Sequence, residues 1–293
     1  MKRASRAAGA SRLLLLGLGV IIALLGLALA IGGVKLVSLM ATSFTAAGTL
    51  SLAPALAVML GANIGSTLVV QLLSFDTSLA MPVILLVGFI IFRLRDDSRH
   101  ESVGCALIGL GLMLLALGLL SASLGHMEET SVFRAVMQSL EGDVVIAVLA
   151  AVLLTWICHS SVAVVLLIAS LAGAGMMTPV TAIALMLGAN IGGALPSVMS
   201  ASSPVARRLP VGNLLIRLLG TLVLLPCLPL MATWLAGTDI GLAHWVVYLH
   251  TAFSLVLAVV FIGLTEPCAR LLTRLFPQQE PPADPGMPQY LDA

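Results

Sequence analysis

The chain has 293 residues, 60% of them hydrophobic and 9% charged, with a formal net charge of +1 and a mean hydropathy of +1.14. A soluble domain carries about 25% charged residues, so a soluble fold is excluded and the sequence reads as an all-α polytopic membrane protein. The near-neutral charge implies no nucleic acid partner. The four cysteines (Cys105, Cys158, Cys227, Cys268) are scattered through apolar sequence without metal-ligand or CxxC spacing.

The chain opens with the basic segment "MKRASRAAGASR", followed by an apolar run over 13–33. That run is about 20 residues, the length of a bilayer span and longer than the h-region of a secretory leader, so an uncleaved first helix is predicted. Further apolar runs follow at 36–75, 77–92, 103–124, 144–200, 210–236 and 243–265. The runs at 36–75 and 144–200 are too long for one span and are interrupted by Gly, Asn, Ser and Pro. They predict discontinuous or re-entrant helices, which survive at membrane depth only when packed inside protein or lining a polar cavity. Residues 1–276 form the predicted transmembrane domain, with repeat 1 at about 13–93, repeat 2 at about 103–236 and a last span at 243–265. Residues 277–293 are Pro-rich and polar and read as a cytoplasmic tail or linker.

Basic residues cluster at Lys2–Arg12, at Arg93, Arg95 and Arg99, at Arg207 and Arg208, and at Arg270 and Arg274, whereas the loop 125–143 is acidic on balance. Cytoplasmic placement of every basic cluster puts both termini inside and the acidic loop outside. Lys35 and Arg217 fall near predicted span ends, where snorkelling to the interface is the first expectation; a bidentate contact with phosphate is the alternative for Arg217.

The word GANIG occurs twice, at 61–65 and 188–192. An offset of 127 residues aligns "GTLSLAPALAVMLGANIG" with "GMMTPVTAIALMLGANIG", with ten of 18 positions identical. Similar composition accounts for matching Leu and Ala but not for Asn63 and Asn190, since an amide in hydrocarbon is costly without a partner. An internal repeat with an interrupted helix in each half points to a secondary transporter with its site at the midplane. The loop charges give the spans after each word opposite directions, as two inverted structural repeats require. Glycine lets the backbone leave helical geometry, a restarting helix offers N–H groups to an anion, and an ending helix offers carbonyls to a cation. Gly61, Asn63, Gly188 and Asn190 are therefore candidate substrate-binding residues, and Asn63 and Asn190 candidate sodium ligands. His159, Ser160 and Ser161 add three adjacent polar groups to an otherwise apolar run, and ionisable groups at membrane depth are functional candidates.

These motifs resemble the sodium-dependent phosphate cotransporter family, whose repeats each carry a Gln-Ser-Ser-Ser stretch followed by a GANIG-type word. The likeness covers roughly 12–276, including "LPVGNLLIRLLGTLVLLP" and "YLHTAFSLVLAVVF". It implies a bacterial inner-membrane symporter that couples sodium entry to inorganic phosphate by alternating access, with no cofactor beyond the coupling ion. It also implies that Ser160, Ser161, Asn190, Asn63, Ser66 and Thr67 line the site. The ending "PQYLDA" resembles the linker to a PhoU-like regulatory domain, which makes a PhoU-like protein a candidate partner. Departures are specific: His159 stands for Gln, Val162 for the third Ser, Gly193 and Ala194 for the two Thr after GANIG, and Arg217 and Ser254 for Asn in the later helices. Stepping back 127 residues from His159–Ser161 gives Gly32-Gly33-Val34, so the first Gln-Ser-Ser is missing. A degenerate, non-transporting membrane partner or phosphate-sensing subunit is the alternative function. His159, an ionisable side chain in place of Gln, makes proton coupling a further alternative. An intramembrane enzyme finds no HExxH and no paired intramembrane aspartates, and His159 does not face its adjacent serines on a helix.

Overall fold

A computed structural model describes residues 40–74, 80–94, 98–127 and 131–278. The predicted first span at 13–33, Lys35 and most of the tail lie outside the described residues. Among those described, regular structure is helical throughout, without strands. After a helical turn at 40–46 come α1 (Leu52–Leu73), α2 (Ala80–Leu94), α3 (Ser98–Met127), α4 (Ser131–Gly142), α5 (Val144–Cys158) and α6 (Ser161–Gly173). Then follow α7 (Pro179–Gly192), α8 (Leu195–Ser200), α9 (Pro204–Leu224), a 3-10 turn (Leu225–Cys227), α10 (Leu228–Ala236), α11 (Leu242–Ile262) and α12 (Thr265–Leu275). Among the described residues, four helical stretches are long and apolar enough to cross a membrane: Leu52–Leu73, Pro179–Ser200, Pro204–Ala236 and Leu242–Ile262. The bent pair α4–α5 adds a fifth candidate if it counts as one span, with 119° between its parts.

Polar residues at the boundaries start these helices. Asp143 caps α5 by accepting from the Val145 amide at 2.7 Å and the Ile146 amide at 3.3 Å. Thr178 caps α7 and Ser203 caps α9, each followed by a proline in the first turn, where its missing N–H leaves no bond unmade. His159 closes α5 in the left-handed region (φ 52°) and Ser160 caps α6, so the 144–200 run is interrupted here by a break between two short helices.

The GANIG words do not interrupt helices as expected. The first lies within the unbroken α1, and the break in the 36–75 run comes earlier, at a turn containing Gly48 with φ 73°. The second forms the last turn of α7, and the chain leaves the helix at Gly193 and Ala194. In α7 the glycines serve close approach rather than unwinding. A Cβ on Gly192 would meet the Val152 carbonyl oxygen at 2.5 Å and Thr155 Cβ at 2.7 Å, and one on Gly188 would strike the Val148 carbonyl. A glycine inside a helix costs about 1 kcal/mol against alanine, which the α5–α7 contact offsets.

The core centres on α7, buried from Thr181 to Gly192. Helix α5 runs along one side of it, and α6 and α11 close others. Helix α1 packs chiefly on α11 and the amphipathic α12, and α9 touches α1, α7, α11 and α12. Leu219, Leu222 and Val223 of α9, with Val256, Val259 and Val260 of α11, are exposed, as expected of surface turned to lipid.

Candidate functional site

Within this apolar bundle, polar side chains converge where α1, α7, α9 and α11 meet. Asn63 is 4% exposed, Asn190 1%, Arg217 6% and His250 1%. Arg217 does not snorkel. It sits in the middle of α9 and bridges the two copies of the repeated word, donating Nη2–H to Asn63 Oδ1 at 2.6 Å and Nη1–H to the Asn190 main-chain oxygen at 2.5 Å.

The network fixes the orientation of each group. A guanidinium only donates, so the Asn63 oxygen must face it, and the Asn63 amide nitrogen then donates to Asn213 Oδ1 at 2.7 Å. The Asn190 amide nitrogen donates to the Met186 carbonyl at 3.0 Å and faces His250 Nδ1 at 3.0 Å. Since an amide NH2 is donor only, Nδ1 accepts and the imidazole proton resides on Nε2. That buried Nε2 has no hydrogen-bond partner among the described residues, and neither do the buried hydroxyls of Thr221 and Thr155. Thr221 lies four residues after Arg217, on the same face of α9.

The last four carbonyls of a helix have no intrahelical donor, and the helix C-terminus carries the negative end of its dipole. Asn190 is two residues from the end of α7, so its carbonyl and the Asn63 amide oxygen together make a cation-binding pair. Arg217 fills it. Among the described residues no carboxylate pairs with the guanidinium. A buried cation held only by neutral dipoles keeps a net positive charge and unused donors, and an uncompensated buried charge costs several kcal/mol. An anion bound beside it removes that penalty.

The other predicted residues divide. Ser66 and Thr67 are buried, but their hydroxyls bond back to the Asn63 and Ile64 carbonyls at 2.7 and 2.8 Å. Ser160 accepts from the Ala163 amide at 3.3 Å as a helix cap, and His159 is exposed. Ser161 is half-buried against the end of α7, where a Cβ on Gly193 would meet its Oγ at 3.2 Å; it comes within about a turn of Asn190. Gly61 is exposed on α1, and Gly188 abuts α5. The structure therefore joins Asn63 and Asn190, brings Ser161 near, and gives the other polar groups local roles. Asn213, Thr221 and His250 were missed. Their signal was present, because Asn213, Arg217 and Thr221 recur every four residues in an apolar run and so share one helical face.

A helical bundle of membrane-spanning length, closed around a buried guanidinium that two internal copies of one motif share, is a polytopic membrane protein. The chain belongs to the Na+/Pi-cotransporter family, whose sequence profile matches residues 8–122 and 126–266. It is 34% identical over 258 residues to "Putative inorganic phosphate export protein YjbB" of Escherichia coli K12, covering 87% of this chain and 47% of that protein. The Salmonella typhimurium protein of the same name is 33% identical over the same shares. "Uncharacterized protein YqeW" of Bacillus subtilis is 26% identical over 80% of this chain and 76% of its own length. The chain thus spans about half the length of the YjbB relatives. No solved structure matches it.

Proposed function

We propose that the chain carries inorganic phosphate across a membrane, binding it against the free face of the Arg217 guanidinium between α1 and α7. The observation that carries this reading is the buried Arg217, hydrogen-bonded to both Asn63 and Asn190 and paired with no carboxylate among the described residues. Phosphate supplies the missing negative charge and several acceptor oxygens, and guanidinium matches it in a bidentate fork. The buried His250 Nε2–H and Thr221 hydroxyl, without partners among the described residues, are further donors on α11 and α9.

The centre is closed in this conformation, so transport requires the site to open to each side in turn. Two inverted repeats, each contributing one GANIG helix, suit that motion because they can rock about the shared site. The short α5 and α6, broken at His159, act as a re-entrant pair whose tip brings Ser161 to the end of α7. The bacterial inner membrane, cytoplasmic termini and a PhoU-like regulatory partner belong to the same proposal and rest on the loop charges and the family likeness.

A second reading, sodium symport, is favoured by the family's description as a Na+/Pi-cotransporter. In that case sodium binds away from the two oxygens that Arg217 holds, or displaces it from them. The carrier reading is tested by counterflow of radiolabelled phosphate in proteoliposomes. Unlabelled phosphate inside should accelerate entry of label; phosphate binding by folded protein without exchange would instead favour the non-transporting partner.

A further inference from the structure

We infer that Arg217 is a built-in replacement for a coupling cation, so that phosphate binding and movement through this site do not require sodium. The inference rests on the carrier reading and adds what balances the charge. The position between Asn63 Oδ1 and the Asn190 carbonyl has the chemistry of an alkali-cation site. It combines an amide oxygen, a main-chain oxygen freed by the end of α7, and the negative end of that helix's dipole. In a family described as a Na+/Pi-cotransporter, a pair of oxygens, one from each GANIG word, is chemically suited to a metal ion. Here the guanidinium makes both contacts at 2.5 and 2.6 Å, and it is covalently part of α9.

A tethered cation differs from a dissolved one in two ways. Its local concentration does not depend on the medium, so the positive charge facing phosphate is present at any sodium concentration. It also returns with the empty carrier, so it contributes no net charge to a transport cycle. The charge moved in each cycle is then that of phosphate alone, and an inside-negative potential drives it outward. The curated relatives named for phosphate export fit this direction.

The test measures phosphate binding by calorimetry on the purified full chain, and counterflow in proteoliposomes, with sodium fully replaced by N-methyl-D-glucamine. Affinity and exchange within twofold of the sodium values are expected. Binding that appears only with sodium, or weakens more than tenfold without it, overturns the inference while leaving a sodium-coupled carrier standing. Absence of binding in both media overturns both readings. Binding in both media without exchange rejects the carrier but supports the tethered cation. In Arg217→Ala, which vacates the two oxygens, sodium is expected to improve phosphate affinity at least tenfold; a folded variant indifferent to sodium counts against the inference. If that variant does not fold, the wild-type comparison decides.

Discussion

Replacing Arg217 by methionine removes the charge while keeping an apolar side chain of similar reach, and the expected loss of phosphate affinity follows from the geometry. A phosphate oxygen in contact with the guanidinium puts the two charges about 4 Å apart, and at an effective dielectric constant of about 20 each unit pair is worth about 4 kcal/mol. The unbound guanidinium is already desolvated and held by two carbonyl oxygens at 2.5 and 2.6 Å, so part of that energy is not recovered on binding. Taking half as the lower bound gives about 2 to 4 kcal/mol, or roughly a 30- to 900-fold weaker affinity. Arg217→Lys retains the charge but cannot span Asn63 and Asn190 with a planar fork, and is expected to lose about tenfold. The assay is calorimetric titration with inorganic phosphate in detergent, with the melting temperature of each variant as the check on folding. Stability should change little, because loss of a buried charge is favourable whereas the two oxygens left without a donor cost about 1 to 3 kcal/mol each. A folded Arg217→Met that binds phosphate within threefold of the parent would refute the reasoning.

Four further outcomes are expected. Asn63→Asp places a carboxylate where the amide oxygen now accepts from Arg217 at 2.6 Å, neutralising the site internally; calorimetry should show phosphate affinity down at least about 30-fold, on the same pair-energy argument, in a protein that still folds. Gly192→Ala forces a methyl group against the Val152 carbonyl and should destabilise by about 1 to 3 kcal/mol. Gly237→Ala, whose nearest contact would be the Trp234 oxygen at 3.5 Å, should leave the melting temperature nearly unchanged. In sodium-free vesicles an inside-negative potential of 100 mV should favour outward movement of HPO4 2− by about 4.6 kcal/mol, at about 2.3 kcal/mol per charge, read as faster phosphate efflux after valinomycin is added with potassium inside.

The apolar runs predicted the helices well because burial in lipid leaves few alternatives to helix. The runs near 77–92, 103–124, 210–236 and 243–265 each correspond to helices in the structure. The repeated asparagines also marked the centre, because an amide placed twice at the same point of an apolar helix needs a partner. The role of the adjacent glycines was misread. A glycine that unwinds a helix and one that admits a neighbouring backbone look identical in sequence, and only the position of α5 against Gly188 and Gly192 separates them. Arg217 was misplaced for a related reason. From the primary structure it lies a few turns after Arg207 and Arg208, within reach of an interface, and its burial depends on α1 and α7, which come from elsewhere in the chain. Ser66 and Thr67 show the converse: their place beside Asn63 was visible, but not that their hydroxyls would bond to the preceding turn.

The central claim is that phosphate binds on the guanidinium that unites the two repeats. A cryo-electron microscopy map of the chain in lipid nanodiscs with saturating phosphate tests it most directly. The account predicts tetrahedral density within about 3 Å of the Arg217 nitrogens, while Arg217 remains bonded to Asn63 and Asn190. Phosphate seated instead at the tip of the α5–α6 break by His159 and Ser160, with Arg217 untouched, would contradict it.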